Sequence, residues 1–580
     1  MEEDNTTASD TRVRPAGTRP TIGLLIGNTW HSLSWRLWAG IEDVARERDA
    51  NLICFAGDDL NTPLGALSQA NVLYDLAGEQ NVDGLVIWGG GLGQYVSLQK
   101  MEAFCERYLG LPVVNISLPL KRIPSVLLDN YHGMRQVITH LVQIHGFRRI
   151  AFARGPEGHW EADTRYRAYC DVLAESGIDL DPRLVAPGDF NPDAGEAAIE
   201  LLFDRRHLRP GEDVEAIAFS GDGEALIAVD ALRARGIHVP KDMAVTGFDN
   251  IEEGWYSTPA LTTVPGLVYE QGRQAAEMLL DRLQGACPAE QVMLPVRLIV
   301  RQSCGCAAPL LKKEMPRAGS QTLDELESVL GRQRESILAR MVQVVDEVAT
   351  DVPKAEVARL LDAFWAEMFE GTSGVLQGTL EEILRHGTVR GGSVMVWQDA
   401  ISALRHHVLQ HMCQGEPLSH AEHLWNLARI TIGEEAQRLQ VQRSLQTVQR
   451  TQILNEVSQA LITTFEISGL MDVAAWGLPY LGIDRALIAL YQEPVSAAKW
   501  ARLILAYQNG QRTDLESGGQ SFLAHQLAPA GWLPDDKRYS MVVEPLFFQG
   551  EQLGFALLEA KPQEAMMYDA IRGYLSSALK

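Results

Sequence analysis

Thiols and imidazoles have the widest chemical reach of the side chains in this sequence, and their spacing limits what they can do. The seven cysteines stand at 54, 105, 170, 287, 304, 306 and 413. An odd count with no regular framework argues for reduced thiols in a cytoplasm, not for a disulfide scaffold. Cys304-Gly305-Cys306 is the one close pair. A tetrahedral metal takes four protein ligands, or three and a water. No second Cys or His pair lies nearby in sequence, so no metal or redox role is expected of it. His140 and His145 lie five residues apart on a stretch of helical character. That spacing does not make a ligand pair on one helix face, and the two read as surface or core histidines. There is no P-loop, HExxH, GxSxG or kinase glycine pattern. Gly391-Gly392-Ser393 lacks the acidic pair that a diguanylate cyclase turn uses to hold metal. No enzymatic activity, cofactor or metal is expected.

Aromatic side chains offer a different chemistry. Trp30 and His31 follow the apolar run Ile22–Ile26, and Trp160 follows the run that ends at Ala153. Phe190 lies in Gly188-Asp189-Phe190, and Trp255 follows Gly247-Phe248-Asp249-Asn250. Flat apolar faces at the mouth of a cleft suit sugar rings, nucleosides and other amphipathic rings. Trp30 and Trp255 read equally well as packing on the surface of their own domain.

Elements must carry these groups to one place. The chain has 580 residues, of which 46% are hydrophobic and 22% charged, enough for three or four domains. From Thr21 to about Gln302 short apolar runs alternate with amphipathic ones. Strands are expected at Ile22–Ile26, Asn51–Phe55, Gly84–Trp88, Val113–Ile116, Ile150–Ala153, Ala216–Phe219 and Met243–Thr246. Helices are expected at Trp35–Arg48, Met101–Tyr108, Asp163–Ser176 and Glu224–Gly236. This order predicts α/β structure with parallel sheets, restarting after Gly146 as a second lobe, with ligand loops beyond the carboxyl ends of the strands. The net charge of −24 favours solubility and suggests no extended nucleic-acid surface. The N-terminus lacks an apolar signal core, and no apolar run is long enough to span a bilayer. A cytoplasmic location follows as an expectation.

Phe219-Ser220-Gly221-Asp222-Gly223-Glu224, then Ala231–Pro240, Val245-Thr246-Gly247-Phe248-Asp249-Asn250 and Pro259–Val264, resemble the second lobe of LacI/GalR regulators. Val82–Ile87, Pro112-Val113-Val114 and Asp129-Asn130 resemble the first lobe. The resemblance covers about half the chain. It implies a two-lobed, type I periplasmic-binding-protein-like fold over 21–306, with a small-molecule ligand, carbohydrate or nucleoside, at the lobe interface. On that likeness Arg165 takes the position of the family's Arg-x-x-Gly-aromatic helix start, with Ala168 in place of the glycine and Tyr169 as the aromatic. A guanidinium there offers a planar fork of donors to hydroxyls or a carboxylate. Asp249 resembles the ligand-contacting aspartate, the alternative being a turn or cap. Asp222 fits a pocket wall or a helix cap, and Asp129 is placed with the ligand by the same resemblance. Gly221 stands where the family commonly has Asn, and Pro265-Gly266 where it often has a polar residue. Both put the ligand's identity in doubt more than the fold.

About twenty residues, expected to be disordered, precede the first strand, with no helix-turn-helix, so direct DNA binding by this region is not supported. A regulator that binds DNA through another surface is the rival reading. Beyond the two lobes, 307–419 reads as a helical bundle and 420–465 as one long helix. Its residues Leu424, Leu427, Ile432, Leu439, Leu445, Val448, Leu454, Val457 and Leu461 follow a broken heptad pattern. A bundle helix and a parallel dimer helix that carries a signal both remain open. Residues 466–580 form a small α+β domain that resembles a GAF-like module. Arg301–Cys306 followed by helices with Trp397 and Leu404-Arg405 is similar to bacterial multidomain sensors. A homodimer and a downstream signalling partner are the expected associations.

Overall fold

The computed structural model describes residues 19–27, 32–63, 67–287, 289–306, 322–348, 352–389, 394, 396–413, 415–464, 466–493, 499–508, 510–513, 515 and 519–580. Two compact units emerge: Met1–Gly305 together with Arg450–Lys580, and Cys306–Gln449.

The first unit opens with β1 (Thr21–Gly27), α1 (Ser32–Glu47), β2 (Asn51–Gly57), β3 (Gly84–Ile87), α2 (Gly89–Leu92), α3 (Leu98–Glu106), β4 (Val113–Ile116) and β5 (Ser125–Leu128). The chain then enters a second lobe through α4 (Asn130–Gln143), β6 (Ile150–Ala153), α5 (Trp160–Glu175), β7 (Val185–Ala186), α6 (Ala194–Ile199), β8 (Ala216–Phe219), α7 (Asp222–Ala234), β9 (Ala244–Thr246) and α8 (Glu252–Tyr256). It returns to the first lobe with α9 (Val268–Leu283) and β10 (Gln291–Leu294). The first sheet runs β10-β5-β4-β3-β1-β2 and the second β7-β6-β8-β9, every pair parallel. This is the doubly wound arrangement that the alternating pattern predicts. Runs such as Thr21–Gly27 and Ala216–Phe219 are buried along their whole length because helices cover both faces. Helix α9 lies close against α1: a β-carbon on Gly40 would stand 2.1 Å from the Tyr269 carbonyl oxygen, and one on Gly272 2.3 Å from that of Leu37.

The second unit is helical: α10 (Leu323–Val348), α11 (Lys354–Phe369), α12 (Val375–Val389), α13 (Val396–Leu409) and the start of α14 (Glu416–Ile462). Its core holds Phe364 and Trp425 stacked at 5.9 Å, with Leu380, Ile401 and Leu404. The buried Glu367 carboxylate accepts from the Gly374 and Leu376 amides, both at 2.8 Å, at the start of α12.

The end of α14, from Arg450, lies in the first unit and leads to α15 (Ile467–Gly477), β11 (Arg485–Tyr491), β12 (Trp500–Gln508), β13 (Gln511–Thr513), β14 (Gln520–Leu523), β15 (Ser540–Phe548), β16 (Glu551–Glu559) and α16 (Ala565–Ala578). β15 and β16 meet across Gln549-Gly550, both at positive φ (43° and 98°), as a two-residue hairpin demands. β15 also pairs in parallel with β2, Ser540–Val543 against Leu52–Phe55, so the first-lobe sheet continues into the C-terminal sheet. An open β2 edge would invite pairing with other chains, and β15 covers it. The two halves share a core in which Trp38 meets Tyr568 at 6.5 Å.

Candidate functional site

Arg165 sits in the second turn of α5 and is 4% exposed. A guanidinium this deep must be met by acceptors, since an unpaired buried charge is costly. Its Nε donates to Asn130 Oδ1 at 2.7 Å, at the start of α4, and its Nη1 to the Ser220 carbonyl at 2.5 Å, just past β8. Nη2 stands 3.6 Å from the Asp249 carboxylate. The Phe248 ring lies 3.7 Å below the guanidinium carbon, and Phe190 is at 5.8 Å. Loops beyond the carboxyl ends of β8 and β9 thus converge on one arginine.

Asp249 has φ +106° and Asn250 +53°. The turn is held by the Asp249 amide donating to Val264 O at 2.6 Å and the Gly266 amide to Asp249 O at 3.1 Å. Asparagine tolerates the left-handed region that Asn250 occupies, whereas Asp249 at +106° lies beyond it and is strained. Burial pushes the Asp249 carboxyl up to about 7, with Arg165 pulling down and Glu161 pushing up. Glu224 is pushed up to about 8, again chiefly by burial.

The facing wall comes from the first lobe. His159 Nε2 lies 3.1 Å from the Gly90 carbonyl. Burial lowers the His159 pKa and keeps the ring neutral, so Nε2 donates and Nδ1 is left as an acceptor. A β-carbon on Gly90 would stand 2.5 Å from Ser117 Cβ and 3.3 Å from Glu161 Oε2, so glycine lets the lobes approach. Glu161 Oε1 accepts from Asn130 Nδ2 at 3.0 Å. Gln94 donates to Asp189 O at 2.5 Å, and Asn191 to the Tyr95 hydroxyl at 3.3 Å. Tyr95 also feels the charges of Asp59, Asp189 and Asp58. Asp59, just after β2, is pushed up to about 7 by burial and by Asp58.

Of the residues singled out from sequence, Arg165, Asp249 and Phe190 come together here. Trp160 is not a loop residue. It is the first residue of α5, and its ring packs among first-lobe side chains, because the helix begins three residues before the predicted Asp163. Asp222 is fully buried behind the site, its two oxygens taken by the Thr263 hydroxyl (2.6 Å) and the Ile251 amide (3.0 Å), so it braces the Asp249 turn and touches no cleft. Trp255 donates to Asn250 Oδ1 at 2.6 Å, which Arg301 also reaches at 2.7 Å, and so serves the same turn. Asp129 is the N-cap of α4, accepting from His132 N at 3.1 Å, and it is its neighbour Asn130 that bonds Arg165. Trp30 and His31 lie outside the described residues, as do 1–18 of the N-terminal segment and Gly391-Gly392-Ser393.

The expectation that His140, His145 and the Cys304–Cys306 pair act separately does not hold in space: one ligand atom from each lies within 4.8 Å of the others. α4 ends before His145, which Gly146 (φ +73°) turns back toward His140. Sequence distance hid this group.

The chain passes between the two lobes before α4, between α8 and α9, and after β10, where Thr263 and Ile299 exchange backbone hydrogen bonds at 3.0 and 2.8 Å, and the polar groups described above gather at the carboxyl ends of the strands. A family model described as a periplasmic binding protein-like domain matches residues 138–304. The chain is 32% identical over 235 residues to the HTH-type transcriptional regulator CelR of Thermobifida fusca, which covers 39% of this chain and 65% of that protein. It is 31% identical over 220 residues to the HTH-type transcriptional repressor CytR of Escherichia coli K12, covering 37% and 61%. The match therefore spans just under two thirds of these relatives' own length. Among solved structures, a CelR–cellobiose complex is similar at 28% identity and TM-score 0.42, covering 49% of this chain and 85% of that one. The two-lobed part has a type I periplasmic-binding-protein-like fold and is similar to part of these transcriptional regulators. No helix among the described residues is long and apolar enough to cross a membrane.

Proposed function

We propose that this chain is a cytoplasmic regulatory sensor for a small polyhydroxylated molecule, a carbohydrate or nucleoside, and has no catalytic role. The observation that carries the reading is the buried Arg165, facing the left-handed Asp249 between two lobes. Guanidinium donors and carboxylate acceptors side by side suit vicinal hydroxyls, which both donate and accept. Among the described residues, His159 Nδ1 and Ser220 Oγ are buried without a hydrogen bond, which suits a site completed by ligand. Relatives named as transcriptional regulators support a regulatory role.

Ligand acts by favouring the closed lobes, which requires better binding to that state. The β2–β15 pairing then offers a path to the C-terminal domain, which resembles a GAF-like module and passes the signal to an output domain or partner. Asp58, beside the cleft, feels Arg572 and Asp569 of α16. The chain works as a homodimer through its long helix.

A thermal-shift screen of sugars, nucleosides and small acids on the full chain tests the site. One class is expected to raise Tm, by about 2.7 kcal/mol of linkage at a hundredfold excess over Kd. Arg165→Ala, checked for folding by circular dichroism, is expected to weaken that binding at least tenfold. Equal shifts in both proteins, or no shift with any class, would count against the proposal.

A further inference from the structure

We propose that His140, His145, Cys304 and Cys306 bind one zinc ion, which ties the end of the ligand-binding domain to helix α4. His140 lies on the last turn of α4, and the chain reverses after it so that the two Nε2 atoms face each other at 3.2 Å. Cys304, wholly buried, brings its Sγ to 3.5 Å from His140 Nε2. Gly305, at φ +98°, turns the chain between the two cysteines. All four ligand atoms fall within 4.8 Å of one another, with His140, His145 and Cys306 half-buried.

The distances bear on the ion. Zinc–nitrogen bonds of about 2.0–2.1 Å and zinc–sulfur bonds of about 2.3 Å set tetrahedral edges of roughly 3.3 Å for N···N and 3.6 Å for N···S. The observed 3.2 and 3.5 Å match both. Two thiolates and two neutral imidazoles cancel the 2+ charge, and this borderline-soft donor set disfavours magnesium and calcium. An outer contact orients one ligand: Phe147 stacks on His145 at 5.2 Å. Cys304 Sγ lies 3.4 Å from the Arg301 carbonyl, an S–H···O contact that the thiol gives up when it binds the ion as thiolate. Four protein ligands leave no open position, so the ion is structural.

A bound ion would fasten the exit of the domain to the second lobe. α4 packs on α5, the helix that carries Arg165, and Ser303 next to Cys304 bonds the Val245 carbonyl of β9 at 2.6 Å. The cross-link therefore joins the exit of the domain to the lobe that holds the candidate ligand site, 164 residues away in sequence.

The test uses the full chain purified under reducing conditions and loaded with zinc alone, then with cobalt. One zinc per chain is expected to survive dialysis. The cobalt form should show tetrahedral d–d bands and a thiolate-to-metal charge-transfer band. Cys306→Ser and His145→Gln change half-buried positions. With folding verified by circular dichroism, each should weaken zinc at least tenfold and alter the cobalt spectrum. A chelator should lower the Tm of the wild type more than that of either variant. A wild-type chain that retains no zinc, a cobalt spectrum without thiolate bands, or variants that hold zinc as tightly would overturn the assignment.

Discussion

Asp249 carries the sharpest electrostatic consequence in the cleft. Its carboxyl titrates near 7 in the fold against 3.8 ordinarily, because burial outweighs the attraction of Arg165. Between those values the folded chain holds a proton that the unfolded chain has released. The stability from that proton is complete below about pH 4 and is lost as pH rises through about 7. Glu224, titrating near 8, extends the same trend upward. Asp249→Asn is therefore expected to flatten the decline in Tm between about pH 5 and pH 8, by an amount on the order of 1–2 °C. Thermal melts across that range check it, and parallel curves for the two proteins would refute the assignment of cause. The likeness to LacI/GalR regulators singled out Arg165 and Asp249, and the fold brings their side chains to 3.6 Å of each other. Asn130, His159 and Glu161 were not singled out as site residues, although each adjoins one that was. Which neighbour faces inward depends on where α4 and α5 begin, and periodicity blurs boundaries by a residue or more.

α14 shows why a heptad count fails at the level of elements. Leu424 and Ile432 are buried in the helical unit, while Val457 and Leu461 belong to the core of the first unit. Between them Val441, Leu445 and Val448 are 53%, 57% and 64% exposed. One apolar pattern thus serves three environments, and no single register fits it. The exposed three fall at i, i+4 and i+7, the spacing of a coiled-coil seam. If this stretch pairs with its copy, Leu445→Asp puts like charges in the seam and is expected to raise the dimer dissociation constant at least tenfold. Light scattering and sedimentation at micromolar concentration measure it. A wild-type monomer, or a variant as dimeric as the wild type, would exclude this helix as the contact. The strands of the two lobes were far easier to read, since parallel strands buried on both faces are short continuous apolar runs.

At the scale of the molecule, the joining of β2 to β15 was beyond reach from sequence, because nothing local marks which strand will cover an edge 488 residues away. The Tyr539 amide donates to Asn51 Oδ1 at 3.1 Å, reinforcing the strand pairing, and Asn81 Nδ2 donates to the His525 carbonyl at 2.7 Å, a second tie between the first lobe and the C-terminal part. β2 leads directly into Asp58 and Asp59, and Tyr74 bonds the carbonyls of both Ile26 (3.1 Å) and Asp58 (3.0 Å). Under the proposed relay, a change at the cleft would pass along this hydrogen-bonded route to the C-terminal sheet. The relay makes a specific demand: ligand that closes the lobes must alter the opening free energy of β15, through its bonds to β2. Hydrogen exchange with and without a ligand found by the thermal screen is expected to slow at Ser540–Val543 several-fold, alongside Asn51–Gly57. Slowing confined to the two lobes, with Ser540–Val543 unchanged, would overturn the proposed relay and leave the C-terminal domain merely docked on the two lobes.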